Sequence, residues 1–331
     1  MTTTRRKRKR TETKTTSKRA RIPAPAPLLF LGLSPAECPL SRARVAFVPA
    51  PFDHTTSYMP GTRFGPRAIL EASRQVEFYD EELDLEPFRM GIATLGEIEI
   101  DPLDPAAALD RLQAVTGSLV DSGVIPFTLG GEHSLTIAPV RALHRRYPEL
   151  SVLQLDAHLD LREEYQGTKM SHASVMRRVR ELGIPTVSVG IRSVSREEAD
   201  YVHAEEVPVF LAREIRAGGL PVDSILARLR NPVYVTVDLD FFDPAYVPGV
   251  GTPEPGGATW EEGLKLLRAV CERRQVVGCD IVELKPIEGQ PASDFFAAKL
   301  ANKMLGYLGL SPPEPGGRAG GKPRRKRSPH R

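Results

Sequence analysis

Short runs of apolar, often β-branched residues alternate along the chain with longer amphipathic segments. The apolar runs predict six strands, at residues 45–48, 124–129, 152–156, 186–189, 233–238 and 276–282. The amphipathic segments predict helices at residues 66–80, 105–121, 135–147, 172–182, 221–230, 260–273 and 294–308. Strands that are apolar on both faces and separated by helices are typical of a parallel sheet with helices on each side. The pattern therefore predicts an α/β fold.

Two strongly basic segments enclose this alternating pattern. Residues 1–21 contain ten Lys or Arg and one acid, and residues 312–331 contain seven Lys or Arg and one acid. Such segments cannot bury enough apolar surface to fold. We therefore expect disordered basic tails at residues 1–27 and 311–331, and one folded domain at residues 28–310.

The charge of the whole chain, +3, hides a marked separation of charge. Residues 22–311 hold 28 basic and 40 acidic side chains, a net charge of −12. Six consecutive basic residues at 5–10 could contact phosphates or act as a nuclear signal, so an anionic-surface or nucleic-acid binder is one alternative. A solvated tail is the simpler interpretation of such a charge run.

Composition excludes several other classes of protein. The hydrophobic content of 41% is enough for a large core. No run approaches about 18 apolar residues, and the first twenty residues lack the apolar segment of a secretory signal. Cys38, Cys271 and Cys279 are odd in number and have no metal-ligand spacing. We expect a cytoplasmic protein, without a membrane partner, whose thiols are reduced and mostly buried.

Acidic residues and histidines follow the carboxyl ends of three predicted strands. In an extended segment, residues two apart share a face, so alternate side chains after strand 152–156 can converge on one point. The strand at 233–238 ends in the same way, and the strand at 124–129 runs into two glycines that allow a sharp turn. The converging residues are His133, Asp156, His158, Asp160, Asp238 and Asp240.

Two imidazoles and four carboxylates suit a pair of divalent cations. The set is rich in oxygen and has no cysteine, which favours Mn²⁺ over a thiolate zinc site. An Asp at a strand end is often only a helix cap, which is the simpler interpretation of Asp238 alone. A lone histidine such as His133 is often structural. Burying all these groups together without a partner is costly, however, so we expect a metal site.

Five motifs lie in order along the chain between about residues 40 and 308. They occupy residues 51–67, 130–134 (Gly-Gly-Glu-His-Ser), 156–160 (Asp-Ala-His-Leu-Asp), 171–174 (Ser-His-Ala-Ser) and 238–257. These motifs resemble the signatures of the ureohydrolase (arginase/agmatinase) family. The resemblance implies a three-layer α/β/α fold around a mostly parallel eight-stranded sheet. It also implies two Mn²⁺ ions per subunit and a homo-oligomer, either a trimer or a hexamer.

The resemblance also implies roles for single residues. One ion would be held by His133, Asp156, Asp160 and Asp238, and the other by Asp156, His158, Asp238 and Asp240. Glu283, at the end of the last strand, would pair with the substrate guanidinium. Asp160 would protonate the leaving nitrogen, and His172 would contact the substrate and carry protons to and from water. From the residues alone, His172 could equally be a surface histidine at a helix start, and Glu283 a surface acid beside Lys285.

The implied reaction is hydrolysis of a guanidino group to urea and an amine. Residues 252–260 and 284–300 look more like agmatinases than arginases, so we expect agmatine to be converted to putrescine and urea in polyamine biosynthesis. N1-aminopropylagmatine, guanidinobutyrate and arginine are alternative substrates. Glu163, Glu164 and Tyr165 could meet the distal amine of the substrate, although solvated loop charges are the simpler interpretation.

Overall fold

Eight parallel strands form a single sheet in the computed structural model, which describes residues 27–100 and 104–312. The predicted tail residues 1–26 and 313–331 lie outside the described residues. The strands are β1 (Val45–Ala50), β2 (Ile92–Thr94), β3 (Ile125–Gly130), β4 (Ser151–Leu155), β5 (Thr186–Ile191), β6 (Val209–Leu211), β7 (Val233–Asp238) and β8 (Val276–Val282). Their order across the sheet is β2-β1-β3-β8-β7-β4-β5-β6, and every adjacent pair is parallel.

Helices cover both faces of this sheet. They are α1 (Gly65–Ser73), α2 (Pro105–Asp121), α3 (Ile137–Arg146), α4 (Val175–Glu181), α5 (Arg196–Ala204), α6 (Ala212–Gly218), α7 (Val222–Arg228), α8 (Trp260–Arg273) and α9 (Ala292–Leu308). Apolar side chains of α1, α6, α7, α8 and α9 pack in one cluster. Those of α2, α3, α4 and α5 pack in two clusters on the other side. The predicted three-layer α/β/α fold is confirmed.

The two-sided core follows from the alternation of side chains along each strand. In β1, Val45 and Phe47 join the cluster under α1 and α9, whereas Ala46 and Val48 join the cluster under α2. All six residues of this strand are buried. A strand without a polar face can lie only inside the molecule, which explains why β1 reads as a continuous apolar run.

The six predicted strands are present, and the structure adds two at the edges of the sheet. Strands β2 and β6 contain only three residues each, too few to give a recognisable period. Helices α5 and α6 were also missed, because α5 is mostly polar and α6 has seven residues. The helix predicted at 66–80 ends at Ser73, so its length was wrong; Asp80 instead pairs with Leu85 in an isolated bridge.

Two further expectations concern the whole chain. Cys38, Cys271 and Cys279 are all free and buried, as predicted. Within residues 27–100 and 104–312, no helix combines the length and apolar character needed to cross a membrane.

Because all strands are parallel, their carboxyl ends meet at one edge of the sheet, where ligands bind in open α/β folds. The four central strands β3, β8, β7 and β4 are adjacent in the sheet. The predicted site residues follow these four strands, so the topology brings them to the middle of this edge.

Candidate metal centre

The first part of the site is the sharp exit of the chain from β3. A Cβ on Gly131 would lie 1.8 Å from the carbonyl oxygen of Phe52, and one on Gly130 would lie 2.7 Å from Cγ1 of Val282. Neither glycine has a positive φ. These glycines therefore allow close packing of neighbouring segments rather than an unusual turn, which corrects the reason given by the sequence. The packing places His133 directly at the sheet edge.

The imidazole of His133 faces three carboxylates. Its Nδ1 lies 2.9 Å from Asp160 Oδ2, 3.1 Å from Asp156 Oδ2 and 3.3 Å from Asp238 Oδ2. The side chain is buried, and its Nδ1 has no hydrogen-bond partner of suitable geometry among the described residues. On the other side of the ring, Nε2 lies 2.9 Å from Thr236 Oγ1. An orphaned nitrogen facing three carboxylate oxygens is an arrangement that a cation would satisfy.

A second group of ligand atoms adjoins the first. His158 Nδ1 lies 2.9 Å from Asp240 Oδ2 and 3.7 Å from Asp156 Oδ1. Potential ligand atoms within 4.8 Å of one another therefore form two groups, His133–Asp156–Asp238 and Asp156–His158–Asp240. Asp156 belongs to both groups. Oxygen and imidazole donors without sulfur fit Mn²⁺ and similar divalent ions.

Two of these aspartates also fix the backbone that follows them. Asp156 Oδ1 accepts the N–H of His158 at 2.6 Å, and Asp238 Oδ1 accepts the N–H of Asp240 at 2.9 Å. Asp238 is thus the cap of a short 3₁₀ turn, as the simpler interpretation held, while its Oδ2 faces His133. Capping and ligation use different oxygens, so the two interpretations are compatible.

Two site residues have backbone conformations that favour glycine. The φ angles are 54° at Asp160 and 65° at Glu283. A non-glycine residue in this region costs about 1–3 kcal/mol, and such residues are concentrated at functional sites. The strain at both positions supports a functional use of their side chains.

Burial and mutual repulsion disturb the protonation of the carboxylates. Burial, reinforced by the negative charge of Asp156, raises the pKa of Asp160 to about 7. Burial also raises the pKa values of Asp238 and Glu283 well above the usual range. Burial acts in the same direction on Asp156, but hydrogen bonds with His133 and His158 lower its pKa overall. Such crowded carboxylates need protons or cations between them.

Glu283 closes the site on the side of β8. Its Oε1 accepts the N–H of His133 at 2.8 Å, and its own N–H donates to the carbonyl of Gly131 at 2.8 Å. The residue is only 7% exposed, so its interpretation as a surface acid is wrong. His172 Nδ1 lies 3.8 Å from the same carboxylate oxygen. The structure therefore brings Glu283 and His172 together beside the two ligand groups.

The pKa values of His158 and His172 are shifted in opposite directions. Burial lowers the pKa of His158, but the carboxylates of Asp240 and Asp156 raise it to about 12 overall. Burial and the positive charges of His158 and His133 lower the pKa of His172 to about 4. The lowered pKa favours a neutral His172 imidazole, whose side chain is 17% exposed although its Nε2 atom is buried.

A further buried carboxylate, Asp280, lies behind the site. Its Oδ2 accepts hydrogen bonds from Tyr234 Oη and Thr136 Oγ1, both at 2.7 Å. Thr136 Oγ1 also lies 3.4 Å from Thr236 Oγ1, and Thr236 in turn contacts His133. Sequence reasoning missed Asp280, although an ionisable residue inside the apolar strand at 276–282 was a usable signal.

Two acidic loop residues, Glu163 and Glu254, differ in their partners and therefore in their suitability for substrate binding. Glu163 pairs with Lys169 at 2.5 Å and Arg177 at 3.1 Å, so its charge is already neutralised. Glu254, which sequence reasoning did not single out, places Oε1 at 3.8 Å from His158 Nε2. Its carbonyl accepts a hydrogen bond from Arg192 Nη2 at 2.8 Å, which anchors this loop at the mouth of the site.

The three-layer fold and the grouped ligands at the carboxyl edge of its sheet define a class of α/β enzymes with a candidate metal centre. Residues 43–306 match the Arginase family. The chain belongs to this family and is a guanidino hydrolase, a ureohydrolase, as the motifs indicated.

Proteins similar to this chain match it over most of its length. The N(1)-aminopropylagmatine ureohydrolase of Synechocystis is 43% identical over 276 residues, which are 81% of this chain and 90% of the relative. The agmatinase of Pyrococcus horikoshii is 36% identical and covers 77% of this chain and 89% of its own. The solved structure of the agmatine ureohydrolase of Thermoplasma volcanium has a TM-score of 0.76 and 33% identity, covering 82% of this chain and 92% of that one.

Proposed function

We propose that this protein is a binuclear manganese hydrolase that cleaves the guanidino group of an amine to urea and a free amine. The observation that carries the proposal is the pair of histidine–carboxylate groups that share Asp156. In this proposal His133, Asp156, Asp160 and Asp238 hold one ion, and Asp156, His158, Asp238 and Asp240 hold the other. By family resemblance, the protein would be cytoplasmic and would form a trimer or a hexamer. Light scattering, which measures the mass of the assembly, tests the oligomeric state.

The chemistry requires a strong nucleophile, because the guanidinium carbon shares its positive charge with three nitrogens. Mn²⁺ held by these residues would supply such a nucleophile, because a divalent cation lowers the pKa of water toward neutrality. The Glu283 carboxylate would hold the guanidinium by hydrogen bonds and fix its carbon for attack. Its high burial makes that contact strong, because little water competes.

Proton transfer falls to two other side chains. We assign Asp160 the transfer of a proton to the leaving nitrogen, as the family resemblance implies. His172 stands 3.8 Å from Glu283 and its side chain is partly exposed, so we assign it the exchange of protons with water. Each role uses a group near the expected position of the substrate.

The sequence motifs favour agmatine as the substrate, whereas the names of the similar proteins favour its longer derivative N1-aminopropylagmatine. Relatives named N(1)-aminopropylagmatine ureohydrolase are 37–43% identical to the chain, and those named agmatinase are 34–37% identical. We therefore propose N1-aminopropylagmatine as the better substrate and agmatine as the second candidate. The carboxylate of Glu254 is partly exposed at the mouth of the site, where it suits an additional ammonium group.

A panel of guanidines tests the proposal. Urea release is measured with Mn²⁺ from N1-aminopropylagmatine, agmatine, guanidinobutyrate and arginine, and kcat/KM is compared. Asp238→Asn serves as the metal-site control and Asp223→Asn, on the exposed side of α7, as the matched surface control. We expect the first two substrates to be preferred and Asp238→Asn to abolish turnover. No urea from any of the four would refute the proposed function.

A further inference from the structure

Glu132 is a buried carboxylate that belongs to neither ligand group. Its Oε2 accepts the backbone N–H groups of His54 at 2.5 Å and Thr55 at 2.6 Å. Its Oε1 accepts the hydroxyl groups of Thr55, at 2.7 Å, and of Ser134. Four donors fill the acceptor capacity of an ionised carboxylate. Glu132 thus joins the end of β3 rigidly to the segment at residues 53–55.

The hydroxyl of Thr55 extends this connection to His172. Because its single proton is given to Glu132, its remaining lone pairs are free to accept. One of them accepts the backbone N–H of His172 at 2.9 Å. The order of donors and acceptors is therefore fixed along Glu132, Thr55 and His172, three residues from separate segments of the chain.

His172 has few other anchors. It begins a 3₁₀ turn at His172–Ser174, in which the Ser171 hydroxyl accepts the N–H of Ala173. Its ring lies edge-on to Tyr165 at 6.2 Å, and its Nε2 has no hydrogen-bond partner in the described part of the chain. The bond from its backbone to Thr55 therefore carries much of its alignment toward Glu283.

We infer that Glu132 and Thr55 are positioning residues, which hold the His172 backbone so that its imidazole stays beside Glu283. The inference rests on the proposed function, in which His172 moves protons. It assigns no contact with substrate or metal to either residue. The effect of the Thr55 hydroxyl on turnover passes through His172.

The test compares variants that differ in one hydroxyl. Thr55→Val is close in shape and removes the link, whereas Thr55→Ser keeps it. Ser134→Ala also removes a donor to Glu132 Oε1, but within the described residues the Ser134 hydroxyl has no hydrogen bond to His172, so it is the matched control. We expect Thr55→Val to lower kcat about ten- to a hundredfold at unchanged KM and Mn²⁺ affinity. Thr55→Ser and Ser134→Ala should stay within about threefold of the wild type.

A double-variant cycle separates positioning from general stabilisation. In a His172→Asn background, Thr55→Val should cause no further loss of kcat, because the residue through which it acts is gone. Additive losses, or equal losses in Thr55→Val and Ser134→Ala, would overturn the inference. If Thr55→Val does not fold, Thr55→Ala is used in the same cycle. An inactive wild type would instead refute the proposed function, so the two failures are distinguishable.

Discussion

Thr236 Oγ1 lies 2.9 Å from Nε2 of His133, on the side of the imidazole opposite to the carboxylates. Thr136 Oγ1 donates to the buried Asp280 and lies 3.4 Å from Thr236 Oγ1, so the Thr236 hydroxyl donates to Thr136 and accepts from His133 Nε2. In the metal-bound form, the free electron pair of His133 would then be on Nδ1, facing the carboxylates.

Removing this hydroxyl should weaken metal binding. We expect Thr236→Val to lower Mn²⁺ affinity about ten- to a hundredfold, because the His133 ring loses the partner that fixes its tautomer and orientation. Titration calorimetry or the electron paramagnetic resonance signal of free Mn²⁺ measures the affinity. Thr186→Val, in β5, removes another buried strand hydroxyl, one that has no hydrogen-bond partner among the described residues, and should leave the affinity unchanged. Equal affinities in both variants would contradict this ordering role.

Loss of the His172 imidazole should affect turnover and spare the metal. We expect His172→Asn to lower kcat about a hundred- to ten-thousandfold with Mn²⁺ content unchanged, since a positioned acid–base group contributes that much. The exposed His203 of α5 provides a matched control, and His203→Asn should retain full activity. Metal analysis of the purified variants is the deciding measurement, because loss of manganese in His172→Asn would mean that the residue is a ligand.

A buried ion cluster joins helix α9 to residues 80–82, away from the candidate metal centre. Lys303 Nζ lies 3.0 Å from Asp80 Oδ1 and 3.1 Å from Glu82 Oε2. Burial lowers the pKa of Lys303, but these carboxylates raise it overall, so the ammonium stays charged. Replacing it would leave the buried Asp80 uncompensated.

We expect Lys303→Met to lower the free energy of unfolding by about 3–5 kcal/mol, the usual cost of breaking a buried ion pair. Lys299, on the same helix α9, lies 3.9 Å from the exposed Glu81, and Lys299→Met should change stability by less than about 1 kcal/mol. Urea unfolding of both variants followed by circular dichroism makes the comparison. Similar midpoints for the two variants would show that the cluster is not a stabilising one.

The thiols should be inert while the protein is folded. Burial raises the pKa of Cys271 to about 12 and also raises the pKa values of Cys38 and Cys279. A raised pKa leaves the thiol protonated at pH 8, and only the thiolate reacts. We expect Ellman's reagent to label none of the three thiols within minutes at pH 8, and all three in guanidinium chloride. Fast labelling before unfolding would show that a thiol is accessible.

The basic tails can be tested by deletion. The hydroxyl of Ser311 accepts the N–H of Val276 at 2.9 Å and should be kept in a shortened chain. We expect deletion of residues 1–21 and 312–331 to leave kcat/KM unchanged, since no candidate site residue lies there. Nucleic-acid binding is then compared as a function of salt. Identical curves for the full and shortened chains support solvated tails, whereas salt-dependent binding by the full chain alone supports the alternative.

The sequence predicted those parts of the fold whose pattern is local. Strand β7 is rich in β-branched residues, is buried on both faces and ends in alternating aspartates, so its burial and its chemistry are both visible in one segment. Strand β6 is only three residues long and half-buried, and its place in the sheet depends on pairing with β5. No local period encodes that pairing.

The same distinction applies to the site. Asp156, His158 and Asp160 could be grouped because an extended backbone puts alternate residues on one face. Thr55 and Glu132 are 77 residues apart, and only the folded chain shows that they meet. Residues that orient the ligands form no local sequence pattern with one another. Sequence reasoning therefore found the expected ligands more readily than the groups that orient them.

Asp156 presents Oδ2 to His133 and Oδ1 to His158, so a single side chain serves both ligand groups. The first cation to bind would keep this carboxylate ionised and take up part of its charge. The two positions are therefore thermodynamically linked, so occupancy of one should change the affinity of the other.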